Sequence, residues 1–127
     1  MEIIRQSLED GNIVKINIGT ELNDGGTDVS GSIELDIENQ SQFVELINTI
    51  FDEGVSKVIV NMENISYIDS SGLWALFEGH KKAAQRDGKM VLLKPAKDVK
   101  RVLDITKMSS KMDIVDSEED AINTLKA

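Results

Sequence analysis

Two adjacent hydroxyls, Ser70 and Ser71, stand between a carboxylate and a glycine in Asp69-Ser70-Ser71-Gly72, and of all the side chains in the sequence they are the best suited to chemistry. The residues before them, Asn61 to Ile68, read as a buried strand running out into polar residues, and Leu73 onward reads as a helix. In sheets that alternate with helices, functional sites lie beyond the carboxyl ends of the strands. A serine at that point faces the unpaired amides and positive end of a helix. Three uses are open to it. It can be a nucleophile, it can cap the helix, or it can carry a phosphate that the amides and dipole stabilise.

The nucleophile fails first. It needs a base, and the single imidazole, His80, lies ten residues along the same expected helix. At ~1.5 Å of rise per residue the two stand roughly 15 Å apart, beyond hydrogen-bond reach. Ile68-Asp69-Ser70-Ser71-Gly72 also lacks the Gly-x-Ser-x-Gly pattern of a nucleophile elbow. His80 reads as a partly buried helix residue. Capping and phosphate carriage remain, and on the residues alone capping is the commoner role of such a serine.

Other chemistries are excluded by composition. There is no cysteine, so disulfides and thiolate metal sites are out, and one histidine precludes multi-histidine sites. No glycine-rich phosphate loop occurs. Asp24-Gly25-Gly26-Thr27-Asp28 lacks the ligand spacing of a calcium loop and reads as a turn. The five methionines are dispersed and suit core filling. No apolar run approaches the ~20 residues of a membrane span, and Met1 to Gln6 lack the basic and apolar regions of an export signal. A cofactor-free cytoplasmic domain is expected.

The net charge of −9 is unevenly spread. Residues up to Asp69 include 3 basic and 14 acidic side chains, whereas from Ser70 onward there are 11 basic and 9 acidic. An acidic first half repels phosphate backbones, which disfavours nucleic acid. It suits a protein partner with a basic surface, or simply keeps a small domain soluble.

The elements follow from hydrophobic spacing. Ile13 to Ile18 alternates as a half-buried strand does, Asp10-Gly11-Asn12 reads as a hairpin turn, and Ile3 to Leu8 supplies a partner strand. Residues 20–34 form an atypical loop or extra hairpin. Phe43, Leu46, Ile47, Ile50 and Phe51 share a helical face, and Gly54 is placed to end that helix. Val58-Ile59-Val60 and Met90-Val91-Leu92-Leu93 suit strands buried on both faces. Between them a helix starts near Ser70 or Ser71, with Leu73, Leu76, Phe77 and Ala84 toward the core. Val99, Val102 and Leu103 mark a short helix, Met112 to Val115 a further strand, and Ser117-Glu118-Glu119-Asp120 a capping box for a last helix. From Gln42 onward helix and strand alternate, which predicts one α/β domain over residues 1–127 with a largely parallel central sheet.

The segment Ile65 to Leu73 resembles the anti-sigma factor antagonists of the STAS domain family. Leu35-Asp36, Gly54, Gly88 and Val102-Leu103-Asp104-Ile105-Thr106 match further pieces of that family's pattern in order and spacing. The resemblance implies a mixed sheet with helices mainly on one side and a non-enzymatic switch. The serine directly after the motif's aspartate, here Ser70, would be the phosphoacceptor, with Asp36, Asp69, Ser71, Gly72, Leu73 and Trp74 around it meeting the partner. That partner would be an anti-sigma factor that is also a serine kinase. Unmodified antagonist binds it and frees its sigma factor, phosphorylation ejects the antagonist, and a serine phosphatase resets the cycle. The ATP and Mg²⁺ belong to those enzymes.

Three positions depart from the pattern. Trp74 and Lys107-Met108 stand where the family has glycine and Gly-Leu, and Gly31-Ser32-Ile33-Glu34 breaks up its Gly-Glu-Leu-Asp segment. They leave open a STAS adaptor of a lipid-transport or stress-signalling complex in which Ser70 is not modified. Trp74 lies ~100° from Leu73 at the edge of the apolar stripe. It is either a partner hot spot or cover for this protein's own core.

Overall fold

The computed structural model describes residues 3–18 and 33–126. Strands β1 (Ile3–Leu8) and β2 (Ile13–Ile18) form an antiparallel hairpin. A 3-10 turn joins them, and in it Asp10 and Gly11 take positive φ. The sheet continues through β4 (Lys57–Asn61), β6 (Lys89–Leu93) and β7 (Asp113–Val115) in the order β1-β2-β4-β6-β7, parallel from β2 onward. Apart from them, β3 (Ile33–Leu35) and β5 (Ile65–Ile68) pair in parallel as a two-stranded ribbon. The expected loop or hairpin at 20–34 falls, for residues 20–32, outside the described residues, while Ile33 to Leu35 is strand.

The helices are α1 (Gln40–Asp52), α2 (Ser70–Ala84), α3 (Lys97–Ile105) and α4 (Glu118–Lys126). Strand alternation decides which of them covers which face of the sheet. Val14, Ile16, Ile18, Val58, Val60, Met90 and Leu92 point to one side and form the main core with α1, α2 and α3. Ile13, Ile59, Val91 and Leu93 point to the other and meet only Ala121 and Leu125 of α4 among buried residues. The expectation of strands buried on both faces therefore holds for a sheet covered heavily on one side and by a single helix on the other. The Lys15 ammonium meets Glu118 at 2.7 Å, holding the start of α4 to that second face. The Ser117 hydroxyl accepts the Asp120 amide at 3.1 Å, the forward half of the expected capping box.

Two expectations are corrected. The run from Asn61 to Ile68 is the end of β4, a turn and the separate strand β5, because Met62 and Ile65 close a tight turn (Ile65 N to Met62 O, 3.1 Å) and the chain then leaves the main sheet. Ala84 is exposed and Ala83 is buried in its place. The buried positions Leu76, Gly79 and Ala83 follow the 3–4 residue spacing of the helix, and Ala84 has turned past that stripe.

Candidate functional site

Helix α2 starts where β5 ends, and Asp69 sits at the junction as its N-cap. One carboxylate oxygen accepts the Gly72 amide at 3.0 Å, and the other accepts the Ile37 amide at 3.2 Å. The Asp69 amide in turn donates to the Leu35 carbonyl at 3.2 Å. This one residue therefore closes the first turn of α2 and clasps the loop after β3 against it.

That loop is built from its own side chains. The Asp36 carboxylate accepts the Glu38 amide at 3.0 Å, and the Asn39 side chain accepts the Asp36 amide at 2.9 Å while donating to the Glu34 carbonyl. The Asp36 carbonyl accepts the Gln40 amide at 2.8 Å and so leads the chain into α1. Close approach needs a residue without a side chain on the helix. A Cβ on Gly72 would lie 2.3 Å from the Leu35 carbonyl oxygen and 2.7 Å from Ile68 Cγ1. The motif glycine thus sets the distance between the loop and α2.

Ser70, the first residue of the helix, is exposed, and Ser71 beside it is half-buried. Trp74, one turn further on, is 52% exposed, which removes it from the core. Gly72 and Leu73 are buried, so they act on the site through packing and present little surface of their own. Asp36 and Asp69 are half-buried in the clasp. Reading the sequence missed Ile37, which is 70% exposed although its amide is held by Asp69. The sequence disguises it, because Ile33, Leu35 and Ile37 alternate with acidic residues as the buried face of a strand would. The site thus gathers an exposed serine, two engaged carboxylates and two exposed apolar side chains.

His80 is on the same unbroken helix as Ser70, so the two remain about ten residues of helical rise apart, with no path to a nucleophile–base pair. Its ring lies 6.4 Å from that of Phe77. Among the described residues, no three of His, Cys, Asp and Glu are placed to hold a metal ion, and no helix is long and apolar enough to cross a membrane.

This fold and this serine-led helix start define a class. The STAS domain profile matches residues 17–121. The chain belongs to the STAS domain family. An anti-sigma-B factor antagonist of Staphylococcus aureus is 31% identical over 107 residues, covering 84% of this chain and 98% of the relative. A Thermotoga maritima crystal structure superimposes with a TM-score of 0.79 at 20% identity, covering 98% of this chain and 95% of the other. The anti-sigma factor antagonist SpoIIAA, solved in its unphosphorylated form, superimposes at 0.67 with 23% identity, over 97% and 96% of the two chains. A structure of the Bacillus protein in its phosphorylated form superimposes at 0.67 as well, with 22% identity over 97% and 98%.

Proposed function

We propose that this chain is a non-enzymatic, phosphorylation-gated binding module that antagonises an anti-sigma factor. Without phosphate it binds an anti-sigma factor that is also a serine kinase and releases the sigma factor held there. The kinase places phosphate on Ser70, and a serine phosphatase removes it. One observation carries the reading: the exposed hydroxyl of Ser70 opens α2 beside Asp69, flanked by the exposed side chains of Trp74 and of Ile37, whose amide Asp69 holds. A neutral hydroxyl among apolar groups is a surface on which a partner can close and exclude water. A phosphoryl group brings about −1.5 to −2 charge next to Asp69, and so opposes that closure by bulk, desolvation and repulsion. The relatives named anti-sigma-B factor antagonists support the choice of partner.

Incubation with the cognate kinase and ATP, followed by mass spectrometry, tests the acceptor. Phosphate on Ser70 and its loss in Ser70→Ala are expected, whereas phosphate confined to Ser71 overturns the assignment. Calorimetry tests the gate, with Ser70→Ala retaining affinity for the anti-sigma factor and Ser70→Asp losing it. Equal affinities, with no phosphate on protein taken from the native cell, would instead support an adaptor that is not modified.

A further inference from the structure

Ser70, Trp74, Phe77, Lys81 and Ala84 follow one another at intervals of four, three, four and three, so they share one stripe of α2. All but the half-buried Phe77 are exposed. Beyond Trp74 this stripe runs into an open groove of about 550 Å³ lined by Phe77, His80, Lys81, Ala84, Gln85 and Lys111. Its floor is apolar, and among the described residues no carboxylate lines it. The Lys111 ammonium stands 5.5 Å from the centre of the Phe77 ring. Among the described residues it forms no ion pair, and the Lys81 ammonium reaches only Glu78, at 4.0 Å. A basic groove in a chain of net charge −9 is the reverse of the switch end, where Asp36, Glu38 and Asp69 gather.

We infer that this groove is a second docking point for the same anti-sigma factor and receives a segment with an apolar side chain flanked by carboxylates. The inference rests on the function proposed above. Charge selects the occupant, because two lysines lining a groove with an aromatic floor, one ammonium over the ring, favour an acidic segment with an apolar anchor. Continuity selects the partner, because a surface seated on Ser70 and Trp74 reaches Phe77 one turn later along the same stripe. Shape selects a protein over a small molecule. Small-ligand sites enclose about 70–90% of their ligand, and this groove is too open to do so. Two-point docking also explains how one phosphate can act as a gate without having to supply all the specificity: the groove recognises the partner in either state, and Ser70 decides whether it stays.

The test measures binding of the purified cognate anti-sigma factor by calorimetry at low and high salt. Lys81→Glu/Lys111→Glu is expected to bind at least tenfold more weakly at low salt, with the gap narrowing as salt rises and the melting temperature unchanged. Phe77→Ala is expected to lose a similar factor and Phe77→Leu to regain most of it. If the lysine variant binds within twofold of wild type while Ser70→Asp still fails to bind, the groove is not a docking point and the switch reading stands. Failure of the wild-type chain itself to bind the anti-sigma factor overturns both. Titration with decanoate and sedimentation of the free chain complete the set. A response in either that the lysine variant abolishes, with anti-sigma binding untouched, assigns the groove to a small amphiphile or a second copy and overturns the inference.

Discussion

At Gly72 a single missing methyl group sets the geometry of the site. A Cβ there would press 2.3 Å from a backbone carbonyl, and backbone cannot give way as a flexible side chain can. Gly72→Ala should therefore destabilise the fold by about 2–3 kcal/mol and open the loop that carries Ile37. Gly79→Ala is the control on the same helix. Its Cβ would meet the thioether of Met90, the far part of a flexible side chain, at 3.0 Å, and the gain in helix propensity, about 1 kcal/mol, offsets that crowding. Chemical denaturation of both variants checks the contrast, and equal losses would contradict it. Trp74 allows a second prediction at this scale. With half its surface in water, Trp74→Ala should change stability by only about 0.5 kcal/mol yet weaken partner binding by ~2 kcal/mol or more. A fall in stability of the ~3–5 kcal/mol typical of a buried aromatic would show that it packs inward.

Among the elements, β1 is an edge strand, and a two-pronged ion pair from Arg5 ties it to the end of α1 at Glu53. The Arg5 hydrogen bonds hold the Glu53 carboxyl below its ordinary value of 4.5 and raise the Arg5 guanidinium. A carboxylate depressed by folding adds stability above its unfolded value and loses it as pH falls through the lower folded value. Arg5 stays protonated throughout the working range. Hence the melting-temperature gap between wild type and Glu53→Gln should be present at pH 7 and close as pH falls below the carboxyl's ordinary value and through its lower folded one. A gap that stays constant with pH would deny the pair any part in stability. Helix α4 supplies a further case, since it alone covers the second face. Removing the hydroxyl that caps it, in Ser117→Ala, should cost about 1 kcal/mol by denaturation. Leu125→Ala should cost more, about 2–5 kcal/mol, because it opens a cavity over Ile59 and Val91.

For the molecule as a whole, charge polarity matters more than net charge. The end of α2 that bears Ser70 gathers carboxylates, whereas Lys81 and Lys111 line the groove at its far stretch. A partner of opposite polarity is therefore oriented before contact. Association with the anti-sigma factor, followed by stopped flow, should slow at least tenfold between low and physiological salt, with dissociation changed far less. A salt-independent association rate would show that polarity plays no part.

Periodicity and turn chemistry made the frame legible. The double-sided burial of Val58-Ile59-Val60, the apolar face of α1 and the start of α2 at Ser70 all depend on neighbours along the chain, which a one-dimensional pattern records. The sequence alone likewise marked Asp69-Ser70-Ser71-Gly72 as the capped start of a helix and as a candidate site, because cap chemistry is local. What it did not reveal was non-local. Strand β5 shows no alternation, since its burial runs buried, exposed, exposed, buried, and it exists only because β3, thirty residues away, offers a partner. The role of Gly72 depends on the Leu35 carbonyl, and the second bond of Asp69 on the Ile37 amide. That Trp74 is left half exposed depends on what lies beside α2 in space, not on the helix angle. Local signals determined which residues form elements and caps. Which surfaces those elements bury against one another, and therefore which side chains are left for a partner, was decided by tertiary packing.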